Sequence, residues 1–153
     1  MTTFQLLTSS NIETITSMMQ DFYAIDNYPI DIEVSKKLFQ EFIADEKLGQ
    51  AYLIYLSNDE KVSEVVGYLI LTYIFSFENQ GRIAFLDELY IKENHRDKGI
   101  GKQTINFIKE QVALTNVKLI YLELENHNEN AQKLYLANDF EVHNRKLLKL
   151  KLS

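Results

Sequence analysis

Apolar positions recur along this chain in two rhythms, and the points where the rhythm changes mark the elements. Phe4 to Leu7 reads as a short strand, and the "TSSN" after it as a helix cap. Ile12, Ile15, Met19 and Phe22 then return at helical spacing, until "DNYPID" breaks the helix at Pro29. A second helix carries Val34, Leu38 and Phe42 on one stripe and stops near Gly49. "AYLIYL" and "VVGYLILTYIF" are adjacent strands joined through "SNDEKVSE", and "NQG" turns the chain into a further strand, "AFLDELYI". Ile105, Ile108 and Val112 mark a helix of about four turns. "KLIYLEL" is again a strand and "NENAQKLYLAN" a short helix, while the Leu/Lys alternation of "KLLKLKL" predicts a half-exposed strand. The predicted order is β-α-α-β-β-β-α-β-α-β-β. This is a mixed α/β (α+β) fold, with helices flanking a largely antiparallel sheet in a single domain over residues 1–153.

Composition narrows the chemistry. With 153 residues, 46% of them hydrophobic, and nine Tyr plus nine Phe, one domain can bury a substantial core. The chain has no cysteine, which excludes disulfides, thiolate metal sites and a Cys nucleophile. His95, His127 and His143 fall in polar loops at no metal-ligand spacing, so all three are predicted at the surface and no metal is expected. A net charge of −6 argues against binding the nucleic-acid backbone and favours cationic partners. No apolar run is long enough to span a bilayer and no secretory pattern opens the chain, so no membrane partner and a cytoplasmic setting are expected.

The stretch "NHRDKGIGK", residues 94–102, lies between a strand and a helix. A glycine-bearing turn entering a helix offers backbone N–H groups and the positive end of the helix dipole, which together suit phosphate. Two familiar phosphate loops fail here. A Walker loop needs Gly at 96 and Ser or Thr at 103, where this chain has Arg96 and Gln103. A dinucleotide fingerprint needs Gly at 104 and a turn directly off the strand, but Thr104 and the intervening "KENHRD" exclude it.

The pattern present is Arg-x-x-Gly-x-Gly, and "LYIKENHRDKGIGKQTINFI" resembles the central motif of the GNAT superfamily of acyl-CoA-dependent N-acetyltransferases. "NENAQKLYLANDF" resembles the second motif of that family, at Asn128, Ala131, Leu134, Tyr135 and Phe140. Both motifs occur in order and at the family's spacing, so the resemblance covers nearly the whole chain. One departure is Asp139, where the family usually has Gly; Asp tolerates the left-handed backbone such a helix end requires.

The resemblance implies acetyl-CoA as co-substrate and assigns roles residue by residue. Arg96, Asp97, Lys98, Gly99, Ile100, Gly101 and Lys102 would wrap the pyrophosphate. Leu89, Tyr90 and Ile91 would meet the pantetheine arm as an added strand does, and Asn128 would cap the helix beside the coenzyme. Tyr135 would protonate the departing thiolate. Asp87 and Glu88 are adjacent acids in an otherwise apolar strand, where a buried carboxylate must be partnered or functional. "LDELYI" resembles a strand of polyamine acetyltransferases in which the first acid is the base, which maps to Asp87. Simple alternation sends the two acids to opposite faces, a bulge would favour Glu88 instead, and a water or backbone relay is the remaining alternative for the base.

The activity implied is N-acetylation of a primary amine by direct attack in a ternary complex, without an enzyme nucleophile. Asp21 to Lys47 holds seven acids against three lysines, and Asp26, Tyr28 and Asp31 cluster in the Pro29 break. Such a set suits a small cationic amine. A protein N-terminus or lysine side chain is the rival acceptor, and a non-catalytic acyl-CoA sensor is the rival class. Tyr135 and an acidic strand residue speak for catalysis, since binding alone needs neither. The family often dimerises, and the Leu/Lys tail would be the partner edge.

Overall fold

The computed structural model describes every residue from Met1 to Ser153. The chain forms two compact units, Met1–Glu123 and Leu124–Ser153.

In the first unit, β1 (Thr2–Leu6) is followed by a 3-10 turn and then by α1 (Ile12–Ile25) and α2 (Ile32–Ala44). After these come β2 (Gly49–Ser57), β3 (Ser63–Ser76), β4 (Gly81–Ile91), α3 (Ile100–Leu114) and β5 (Ile120–Leu122). The five strands lie in sequence order, antiparallel through β4, with β5 parallel to β4. Both sheet faces are covered, which explains the nearly unbroken apolar run of β3. On one face Ile15, Met18 and Met19 of α1 and Phe39 of α2 pack against Ala51, Leu53, Tyr68, Ile70 and Tyr90. On the other, Phe107 of α3 stacks on Phe4 at 4.1 Å between ring centres and meets Tyr52 edge-on at 5.0 Å. The Ile12–Ile15–Met19 stripe is buried as its spacing predicts.

The stripe predicted for α2 is rotated. Phe39 is buried, with Phe42 and Ile43 packed beside it, whereas Val34 and Leu38 are exposed. Apolar residues occupy more than one face of this helix, and only contact with β2 and α1 selects which face is covered.

In the second unit, α4 (Glu129–Leu136) is capped by Asn128, whose side chain accepts from the Ala131 amide at 3.1 Å. Asp139 adopts the left-handed conformation at φ 74°, and the Phe140 amide reaches back to the Tyr135 carbonyl at 3.1 Å. The departure from Gly at this position is therefore accommodated as expected. The two strands predicted after α4 do not form, and Leu147, Leu148, Leu150 and Leu152 are 74–89% exposed. Alternation marks a segment able to pair, but a strand exists only where another strand completes its ladder.

Candidate active site

The site begins with a defect in the β3–β4 ladder. Ile70 stands opposite Glu88 and Leu71 opposite Leu86, so Asp87 is an extra residue with no partner on β3. This bulge removes the simple alternation by which Asp87 and Glu88 would face apart. Glu88 turns toward α1 and the aromatic core, while Asp87 is exposed.

Two tyrosines hold the Glu88 carboxylate. Tyr23 of α1 donates its hydroxyl to Oε2 at 2.8 Å, and Tyr68 of β3 donates to Oε1 at 2.7 Å. Burial pushes the Glu88 carboxyl above its ordinary range; the Tyr68 and Tyr23 hydroxyls oppose that shift, and Asp87 adds to it. Partial desolvation on the strand raises the exposed Asp87 carboxyl as well. Tyr23 and Tyr68 are pushed well above the ordinary tyrosine range, first by burial and then by the Glu88 charge, so both remain protonated donors. No cationic side chain is paired with Glu88. Sequence reading found the carboxylate but neither tyrosine, because nothing local marks contacts across 65 and 20 residues.

The same strand has an open edge. Pairing with β5 ends at Leu86 opposite Leu122, so from Asp87 through Leu89, Tyr90 and Ile91 that side of β4 carries no strand. An extended, hydrogen-bonding chain can add there as a strand would.

Beyond β4, a 3-10 turn leads to Arg96, whose Nε donates to the Ile91 carbonyl at 2.8 Å and whose guanidinium lies over the Tyr90 ring at 5.8 Å. Asp97 (φ 62°) and Gly99 (φ 81°) both adopt left-handed backbone, and Gly99 caps α3. A Cβ at Gly99 would meet nothing within 4 Å, so the glycine serves conformation there and not packing. The first-turn amides of α3, at Ile100, Gly101 and Lys102, have no acceptor within the helix. An anionic group meeting this turn finds those amides and the positive helix end together. The backbone of this turn thus offers the amide donors that a pyrophosphate requires.

His95 corrects the prediction of a surface residue. It is buried, its Nε2 lies 3.3 Å from Glu64 Oε1, and its Nδ1 has no hydrogen-bond partner. The turn folds its ring inward against β3, which loop polarity alone does not reveal.

The residues from the Pro29 break have varied settings. Asp31 caps α2, its side chain accepting from the Val34 amide at 3.2 Å. Asp26 is half-buried at the end of α1, and Tyr28 is exposed. In the second unit, Tyr135 is buried, its ring edge-on to Phe140 at 5.4 Å, and burial pushes its hydroxyl up to about 12.

No helix is long and apolar enough to cross a membrane. The model of the acetyltransferase (GNAT) family matches residues 14–140. An uncharacterized N-acetyltransferase of Bacillus subtilis, YhfO, is 30% identical over 82 residues, which cover 54% of this chain and 55% of that protein. A predicted acetyltransferase from Clostridium acetobutylicum, solved with acetyl-CoA, superposes with a TM-score of 0.79 at 13% identity, over 99% of this chain and 96% of that one. The aminoglycoside N-acetyltransferase AAC(6')-Iy, solved with CoA, gives a TM-score of 0.81 at 12% identity, over 99% and 95%. Two structures so distant in sequence share the fold. The family match runs through the bulged strand, the glycine turn and α4, and on it the chain belongs to the acetyltransferase (GNAT) family.

Proposed function

We propose that residues 1–153 form one catalytic domain that transfers the acetyl group of acetyl-CoA to the primary amine of a small cationic acceptor, with Glu88 taking the amine's proton. The observation that carries this reading is the Glu88 carboxylate itself, half-buried in an aromatic setting and held by two tyrosine hydroxyls without a paired cation. A partly desolvated negative charge lacking a counter-charge is disfavoured, and an acceptor ammonium supplies what is missing. The neighbouring acid Asp87 strengthens the same field.

Acetyl-CoA contributes an activated thioester, and this chain's groups handle charge and protons around it. The turn from Arg96 to Lys102 would bind the pyrophosphate, and the open edge at Leu89–Ile91 would align the pantetheine. An alkylammonium cannot attack until it is deprotonated, and a carboxylate with a raised pKa is a better acceptor than an ordinary one. Tyr23 and Tyr68 stay protonated and do not compete as bases. Tyr135, with its hydroxyl pushed up to about 12, carries a proton at neutral pH for the leaving thiolate. Aligning amine and thioester supplies much of the acceleration.

The test is thiol release from acetyl-CoA with spermidine, simple diamines, an aminoglycoside and a lysine peptide, each at two salt concentrations. Small polycations should react fastest and lose rate as salt screens the carboxylates. A preference for the peptide, with no salt effect on the small amines, overturns the acceptor assignment. Glu88→Gln should lower turnover at least tenfold more than Asp87→Asn, and the reverse ranking would return the base to Asp87.

A further inference from the structure

We propose that Tyr23 and Tyr68 are positioning residues that fix the Glu88 carboxylate, one oxygen each, in the orientation in which it meets the acceptor. The inference rests on the reading of Glu88 as the base and goes beyond it to name the groups that aim that base.

The geometry is a three-point mount. Glu88 comes from β4, the donor to Oε1 from β3 and the donor to Oε2 from α1. A tyrosine hydroxyl moves only if its ring moves. Tyr68 is fully buried, with Phe22 edge-on at 6.3 Å between ring centres and Tyr90 at 5.8 Å. Tyr23 is itself set against Phe22 at 6.2 Å. Glu88 therefore lacks the freedom of a surface glutamate, and its carboxylate plane follows from the packing of α1 on the sheet. An ionised carboxylate has about four acceptor directions, and each oxygen has spent only one of them on a tyrosine. The remaining lone pairs are left for the ammonium.

The surrounding charges sharpen the assignment. Facing the carboxylate are Tyr23 from α1, Tyr68 from β3 and Asp87 from β4. Tyr90, which faces Tyr68, feels Asp21 and Glu93 as negative neighbours and Arg96 as the positive one. The two hydroxyls are thus the groups beside Glu88 that favour its ionised form, against burial and Asp87. Their removal should disfavour ionisation and loosen the aim together.

A structural role alone would lower the melting temperature and leave the pH profile in place, so the pH profile is the deciding readout. Tyr23→Phe and Tyr68→Phe should each move the acidic limb of kcat/KM upward by about one pH unit, because a hydrogen bond to the charged form is lost. Along that acidic limb, activity at a given pH should fall about tenfold, with recovery at high pH. The melting-temperature rise on adding acetyl-CoA should persist in both variants, since neither hydroxyl lies at the glycine turn. Tyr23→Phe removes a half-buried hydroxyl and keeps the test open if Tyr68→Phe folds poorly. If Glu88→Gln is inactive while Tyr23→Phe keeps the wild-type limb, the base reading stands and the positioning role is overturned. If Glu88→Gln is fully active, both fall.

Discussion

Gly67→Ala is a small change with a large expected effect. Gly67 lies on β3 opposite Ile91, where β4 leaves the sheet toward the glycine turn. A Cβ added there would sit 2.2 Å from the Tyr90 carbonyl oxygen and 3.2 Å from both the Tyr90 carbonyl carbon and the Ile91 Cα. These are backbone atoms and cannot rotate away. An ordinary carbon–oxygen contact is about 3.3 Å, so β4 must withdraw by about 1 Å. The adjacent bond from the Lys92 amide to the Val66 carbonyl, now 2.8 Å, would stretch beyond useful length. Overpacking costs about 1–3 kcal/mol and a lost ladder bond about 1 kcal/mol, giving about 2–4 kcal/mol together. For a domain of this size the melting temperature should drop by about 6–12 °C. The displaced segment includes Ile91, whose carbonyl accepts from Arg96, so acetyl-CoA affinity should weaken as well. Thermal unfolding with and without acetyl-CoA, with calorimetric titration, measures both effects. A melting temperature within about 1 °C of wild type would refute the steric argument.

Gly101→Val should abolish the melting-temperature rise produced by acetyl-CoA without a helix-propensity cost, since Val ranks above Gly within a helix; an unchanged rise would remove this turn from the coenzyme site. Tyr135→Phe should keep coenzyme affinity and lower turnover by about one to two orders of magnitude, and wild-type turnover would leave Tyr135 a packing residue. Glu88→Gln should raise the melting temperature at pH 8 by a few degrees, because Gln can bond both tyrosines without burying a charge. The sign follows from a folded-state pKa raised above the ordinary 4.5. The wild type bears the cost of ionised Glu88 above the raised value, so the variant's advantage should shrink as pH falls and vanish below 4.5. A pH-independent difference in melting temperature would contradict it.

Much of this protein is local and could be read along the chain. The Ile12–Ile15–Met19 face, the Asn128 cap and the left-handed Asp139 depend on residues within a few positions of each other, so spacing and residue type carried them. The glycine turn was legible for the same reason. Other features needed a second element. Apolar residues on more than one side of α2 do not say that Phe39, and not Leu38, meets the core. The polar neighbours of His95 gave no sign that its ring folds inward. Leu/Lys alternation at the tail described a capacity to pair and no partner to pair with. The bulge at Asp87 is a register choice made jointly by β3 and β4, and it decides which acid enters the aromatic core. Glu88 acquires its chemistry only when Tyr23, Tyr68 and burial converge on it from three elements. A carboxylate's identity is written in one residue, but its orientation and proton affinity belong to everything packed around it.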